Sequence, residues 1–259
     1  MKHKTTVFLI LLTITGFVFA VNPKVVLETN YGNIVIELFY NQAPKTVDNF
    51  LGYVNSGFYE YLLFHRVEKK DIFIIQGGGF YYYNSTLYYW PPDQPDIINE
   101  SYNGLSNLRG TIAMARTSEP NSANSQFYIN TADNIELDRA NAADGFGYCV
   151  FGQVIEGMDV VDAIANKQIC YYSPQIPNIP CNPLAGIYTA YALSCDSPDC
   201  ANYNSDNKIN FHDFRLFSSE WMQQDCNSLN NFCGRKDLDY SGECNIRDLA
   251  IFARNWLNL

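Results

Sequence analysis

From Val25 the chain alternates apolar and polar residues through VVLETNYGNIVIELF, with one break at Asn30-Tyr31-Gly32-Asn33. Period-two alternation interrupted by turn-forming residues predicts two strands joined tightly. Pro44 then opens a helical spacing of Val47, Phe50, Leu51 and Val54, and Gly57 stands just past its end. Proline at the start and glycine after the stop are where helices favour them. Strand-like runs follow at 62–67, 72–76, 111–115 and 126–130. A strand over 150–155 leads into a second helix, Met158–Ala165, and a last strand covers Ile187–Leu193. Many strands with two helices predict a mainly-β fold, a closed antiparallel barrel whose ends the helices cover.

Between these elements lies FYYYNSTLYYWPPDQP, residues 80–95. It reads as a surface loop whose aromatics pack on the barrel; a contact patch for a polymer or protein is the other reading of such a cluster. Gly77-Gly78-Gly79 before it reads as a flexible turn, and no Gly-Lys-Ser/Thr follows to make a phosphate loop. After Cys195 the texture changes to Asn, Asp and short helical runs, which puts a domain boundary near 194–197. An internal repeat begins there. NYNSDNKINFHDFRLFSSEWM from Asn202 matches DLDYSGECNIRDLAIFARNWL from Asp237, aligning Asp213 with Asp248, Phe217 with Phe252 and Trp221 with Trp256.

Composition sets limits. At 259 residues, 47% hydrophobic and 17% charged, the chain is globular and can carry one full core plus a smaller unit. A net charge of −10 argues against nucleic acid or anionic membrane as partner. Lys2, His3 and Lys4 precede an apolar run from Val7 to Phe19 that ends at Ala20. This is the pattern of a signal peptide over residues 1–20. The run is shorter than the roughly 20 residues a spanning helix needs, so the mature chain is expected to have no membrane span; an uncleaved anchor is the alternative. Loss of Lys2 and Lys4, with no acid, would take the charge to −12. Export favours disulfides among the eight cysteines over thiolate metal sites, since no C-x2-C pair is present. Proximity suggests Cys170–Cys181 and Cys226–Cys233, while Cys149, in an apolar strand, reads as a buried thiol.

Three peptides belong together: FHRVEKKDIFIIQGGGF, RGTIAMARTSEPNSANSQFYINTADNIELD and GFGYCVFGQVIEGMDVVDAI. In that order they closely resemble the cyclophilin family of peptidyl-prolyl isomerases, in particular its exported bacterial members. The resemblance covers residues 24–195 and implies an eight-stranded antiparallel barrel capped by two helices. Carried over residue by residue, it makes Arg66 and Gln76 catalytic and assigns substrate binding to Phe73, Ile74, Ala115, Tyr128, Leu137 and Tyr148. It implies no cofactor for catalysis, and as partners proline-containing peptides and unfolded secreted proteins. Two departures stand out. The chain has two residues more than the family's spacing within Glu68–Asp71, which could displace Arg66. Glu136 replaces the tryptophan of many eukaryotic members, which implies weaker binding of the drug cyclosporin. A cyclophilin-shaped binding module without catalysis is the competing reading.

The repeat over 196–259 resembles dockerin-like calcium modules, with oxygen donors at loop positions 1, 3, 5, 9 and 12. The second loop would use Asp237, Asp239, Ser241, Asn245 and Asp248, with Gly242 at its turn. The first would use Asn202, Asn204, Asp206, Asn210 and Asp213. Phe214, Phe217 and Trp221, with Leu249, Phe252 and Trp256, form stripes able to pack the two halves together. A metal-free helical pair is the alternative. Such a module implies attachment to a surface or extracellular protein, and an exported location: periplasm, cell surface or medium. Phe211-His212 and Ile246-Arg247 are not the Ser/Thr pairs typical of cellulosomal contacts.

Overall fold

The structure, a computed structural model, describes residues 22–174, 176–193, 211–218 and 246–257, together with Met222 and Cys244. Eight strands form one antiparallel path. Its order is β11 (Ile187–Leu193), β1 (Lys24–Thr29), β2 (Gly32–Leu38), β8 (Val150–Glu156), β6 (Thr111–Met114), β7 (Phe127–Asn130), β4 (Phe73–Tyr83) and β3 (Leu62–Lys69). The two ends of the path meet. Tyr61 N–H donates to the Ile187 carbonyl at 2.8 Å and Phe64 N–H to that of Ala185 at 2.9 Å. Closure leaves few unpaired strand edges, which is how all-β folds avoid edge-to-edge association.

The alternation read in the sequence sorts the faces. Val25, Leu27, Ile34, Ile36 and Leu38 point inward and are fully buried. Helix α1 (Pro44–Asn55) covers one end of this core, and the Phe50 ring lies 5.2–5.5 Å from those of Tyr59, Phe127 and Phe151. Burying an aromatic of this size contributes about 1.5–3 kcal/mol. Ala43 gives α1 no side-chain cap. Buried Glu100 does so from afar, accepting from the N–H groups of Lys45 at 3.2 Å and Thr46 at 2.8 Å. A carboxylate there satisfies open donors and suits the positive end of the helix dipole. Helix α2 (Met158–Ala165) buries Val161, Ile164 and Ala165.

Two expectations about 77–95 are corrected. The triple glycine is no flexible turn: it lies inside β4, which runs on to Tyr83. The aromatic stretch is not a loop throughout, because β4 and β5 (Thr86–Tyr89) form a hairpin, Phe80 opposite Tyr89 and Tyr83 opposite Thr86. Asn84 and Ser85 at its tip have φ of 47° and 62°, the two left-handed residues of a type I′ turn, whose twist matches that of paired strands.

A short hairpin of β9 (Gln168–Cys170) and β10 (Ile179–Cys181) carries the Cys170–Cys181 disulfide that proximity suggested. Cys149 is a buried thiol, pushed up to about 12 by burial, so it is protonated and unreactive. Cys226 and Cys233 lie outside the described residues. Among those described, no helix is long and apolar enough to cross a membrane.

In the C-terminal repeat, helices α3 (Phe211–Ser218) and α4 (Ile246–Leu257) stand where the pattern placed them. The aligned Phe217 and Phe252 stack on each other, centroids 5.1 Å apart at 22°, and both are fully buried. The halves of the repeat therefore meet through equivalent residues, as the aromatic stripes require. Asp213 lies in α3, and Asp248 is buried in the first turn of α4. Asn202, Asn204, Asp206, Asn210, Asp237, Asp239, Ser241 and Asn245 lie outside the described residues.

Candidate active site

The site is built on a row of residues facing one another across neighbouring strands. Arg66 on β3 lies opposite Gln76 on β4, Gln76 opposite Tyr128 on β7, and Tyr128 opposite Ala113 on β6. Directly opposed residues share a face of an antiparallel sheet. A bulge decides Arg66's place in the row. Phe64 pairs with Gly77 and Arg66 with Gln76, so His65 is the extra residue. Unbroken pairing would set Arg66 against Ile75, which is fully buried in the core. Bulges re-aim side chains in this way. Glu68 and Lys69 end β3, Lys70 and Asp71 lie in the turn to β4, and Arg66 stands opposite Gln76.

Three polar side chains form a chain of contacts on this face. Arg66 Nη1 donates to Gln76 Oε1 at 3.3 Å, and Gln76 Nε2 donates to Gln126 Oε1 at 3.0 Å. Arg66 Nη2 also lies 3.6 Å from Glu68 Oε2, while its side chain remains 38% exposed. Glu68 is held in turn by Asn178, whose Nδ2 donates to Oε2 at 3.1 Å. The glycines explain how Gln126 comes so close. Gly78 has φ of 86°, and a Cβ there would lie 2.6 Å from the Ser125 carbonyl. A Cβ on Gly79 would lie 2.8 Å from the Gln126 side chain. Absence of side chains lets the start of β7 lie against β4.

Beside the polar chain lies an apolar surface. Ile74, Ala113, Tyr128 and Val150 form its buried floor, and Ile72, Leu105, Ala115, Leu137 and Tyr148 pack against it half-buried. Phe73 stands apart. It opens β4 opposite Lys69 and is 40% exposed. Asn134 clamps its backbone, Oδ1 accepting from Phe73 N–H at 2.8 Å and Nδ2 donating to its carbonyl at 3.0 Å. Glu136 is exposed in a short helical turn at Ile135–Leu137.

Supporting residues fix the aromatic walls. The Tyr128 hydroxyl donates to buried Asn107 Oδ1 at 2.7 Å, and Asn107 is held by Asp138, whose Oδ1 accepts from its backbone and side-chain N–H groups. Burial pushes the Tyr128 phenol well above its ordinary value, so it stays a donor. The Arg116 guanidinium lies 4.5 Å from the centre of the Tyr148 ring and is paired with Asp144. That bond holds the Asp144 carboxyl down at about 2. Sequence reasoning missed Gln126, Asn107, Asn134 and Arg116. Arg116, Gln126 and Asn134 all lie within the second of the three quoted peptides, whereas Asn107 lies outside all three. Among the described residues no cluster of His, Cys, Asp and Glu could hold a metal ion.

Residues 24–179 match the family described as cyclophilin type peptidyl-prolyl cis-trans isomerase/CLD. This chain belongs to the cyclophilin family. It is 48% identical over 163 residues to a peptidyl-prolyl cis-trans isomerase of Acinetobacter baylyi, covering 63% of this chain and 82% of that protein. It is 50% identical over 141 residues to peptidyl-prolyl cis-trans isomerase B of Escherichia coli, covering 54% and 82%. Among solved structures, a cyclophilin type isomerase of Cryptosporidium parvum superposes with a TM-score of 0.51 at 28% identity, over 67% of this chain and 99% of that one. The same cyclophilin in the presence of the dipeptide Ala-Pro gives 0.50 at 27% identity, over 66% and 99%. The cyclophilin match ends at Ile179, before β11 closes the barrel.

Proposed function

We propose that this cyclophilin, a peptidyl-prolyl cis-trans isomerase, acts on X-Pro bonds of exported proteins, with Arg66 as its electrostatic catalyst. The barrier to amide rotation, about 18–20 kcal/mol, exists because the nitrogen lone pair is delocalised into the carbonyl. Without a catalyst an X-Pro bond exchanges in about 10–100 s. Twisting the bond localises the lone pair on the prolyl nitrogen. A guanidinium against that nitrogen stabilises the twisted state more than the planar one, which is what catalysis demands. Its charge persists at every physiological pH.

The observation that carries this reading is the Arg66–Gln76–Gln126 chain running beside the apolar surface of Ile74, Tyr128, Ala115, Leu137 and Tyr148. The apolar surface takes the proline ring, Phe73 closes on it from the exposed side, and Gln76 holds the peptide backbone. No nucleophile is needed. The experiment is an isomerisation assay on a prolyl peptide with the full chain beside Arg66→Ala. Loss of one electrostatic stabiliser should lower kcat by roughly 100-fold; a variant as fast as its parent would refute the assignment.

Two further parts of the proposal concern place. Residues 1–20 direct export, and the Cys170–Cys181 disulfide supports an oxidising compartment. Residues 196–259 attach the enzyme to a surface or extracellular protein through a dockerin-like calcium repeat. Support for it comes from the repeated ligand pattern and from the Phe217–Phe252 contact between its halves. Calcium would order the loops; it has no part in isomerisation.

A further inference from the structure

We propose that the groove between the end of α1, the start of β3 and the β4–β5 hairpin is a second binding site, for an extended peptide segment carrying lysine or arginine. The groove encloses about 520 Å³ and is lined by Phe58, Glu60, Tyr61, Tyr81, Trp90 and Asp93 among others. That is within the usual volume of a ligand site. It shares no residue with the Arg66 site. Leu62, opposite Tyr81, is four positions before Arg66, about 13 Å along an extended strand.

Its walls are aromatic and preset. The Trp90 ring stands at 89° to that of Tyr81, with centroids 5.5 Å apart, and Phe58 is 6.4 Å from Trp90. Trp90 is tied to the end of the glycine run, its backbone N–H donating to the Gly79 carbonyl at 2.9 Å, yet the residue is 45% exposed. Tyr61 has φ of 62°, a left-handed backbone that aromatic residues rarely adopt, and it is 71% exposed. Backbone strain of this kind persists where the surroundings hold it; here the bond from Tyr61 N–H to Ile187 does so.

Charge selects the occupant. Glu60 and Asp93 both line the groove and no basic residue does; among the described residues neither carboxylate makes an ion pair or hydrogen bond. Two carboxylates that share one groove with the exposed aromatics Tyr61 and Trp90 suit a guanidinium or ammonium group, which gains from both. Perpendicular rings form a corner and not the flat platform that a sugar ring would stack on. A cation on a methylene stem fits a corner. The proposal rests on the isomerase reading in one respect: such segments belong to its unfolded clients. A client held in both sites would gain by effective concentration without any new contact.

The test is fluorescence anisotropy of the full chain with a labelled, proline-free peptide of alternating lysine, leucine and arginine. Lacking proline, the probe does not report on the Arg66 site, and Arg66→Ala should leave its affinity unchanged. Trp90→Ala should weaken binding about tenfold, on the scale of a cation–π contact. Glu60→Gln with Asp93→Asn, both exposed positions, should weaken it about threefold to tenfold at low salt and change little at high salt. Both variants should isomerise a short prolyl peptide at the parent rate. Parental affinity in the charge variant would overturn the proposal, even if Trp90→Ala failed to fold. So would equal binding of a peptide with glutamate for each base, or Trp90-dependent binding of an oligosaccharide in place of the peptide. Failure of the isomerase reading would appear separately, in the Arg66→Ala assay.

Discussion

The Glu68 carboxylate lies 3.6 Å from the Arg66 guanidinium, two residues along the same strand and on the same face. It therefore competes with the substrate for the charge that the twisted amide needs. Gln76 still orients Arg66 when this ion pair is gone. Glu68→Gln should raise kcat/KM by about twofold to fivefold, the scale of a partly exposed ion pair. An unchanged or lower value would make Glu68 a support for Arg66 and not a competitor.

Gln126 acts through Gln76. Removing the acceptor of the 3.0 Å bond leaves Gln76 free to turn away from Arg66. Gln126→Leu should lower kcat by about threefold to tenfold, in line with one lost hydrogen bond, with KM nearly unchanged. Steady-state kinetics on a short peptide separate the two constants. A rise in KM alone would mean that Gln126 contacts substrate directly.

His65, the bulge residue, links the site to stability. Burial pushes its imidazole down from the ordinary 6.5 to about 4, and the charge of Arg66 adds to the push. Between those values the unfolded chain binds a proton that the folded chain refuses. The contribution of His65 to stability is therefore fully present above about pH 6.5 and is lost as pH drops toward 4. The full gap corresponds to about 3 kcal/mol. Urea unfolding at pH 7 and pH 4.5 should show a larger loss in the parent than in His65→Gln. Parallel losses would assign the acid sensitivity to other groups.

Glu136 is exposed at the edge of the apolar surface. A carboxylate at that position must lose water when an apolar ligand covers it, which is costly. Cyclosporin should bind weakly, and Glu136→Trp should strengthen binding at least tenfold by titration. Tight binding to the unaltered chain would contradict this.

Calcium should act on the C-terminal repeat alone. Affinity rises with ligand charge, and the second loop offers Asp237, Asp239 and Asp248 against Asp206 and Asp213 in the first. At a concentration 100-fold above Kd, binding adds about 2.7 kcal/mol to the folded state. Calorimetry of the full chain should show one transition rising with calcium while the barrel's stays put. Asp248→Asn should abolish most of the rise and Asp213→Asn much less. Equal effects would show that the loops are equivalent.

Much of this was legible in the residues themselves. Alternation through 25–38 places Val25, Leu27, Ile34 and Ile36 in the core because a strand's side chains change face at every step, a rule that needs no partner. The Phe-His-Arg and Gln-Gly-Gly motifs locate Arg66 and Gln76, and the repeat alignment locates Phe217 and Phe252, because each signal is carried by local spacing. Other features depend on positions far apart in sequence. Glu100 caps a helix that begins more than fifty residues earlier, and Gln126 reaches Gln76 only because Gly78 and Gly79 clear its way. Three glycines in a row permit either a turn or a close approach, and the choice rests on what lies across the strand. The bulge at His65 is likewise invisible along the chain. Residue type sets which side chain can do the chemistry; register between strands decides that Arg66 meets Gln76 and not Ile75.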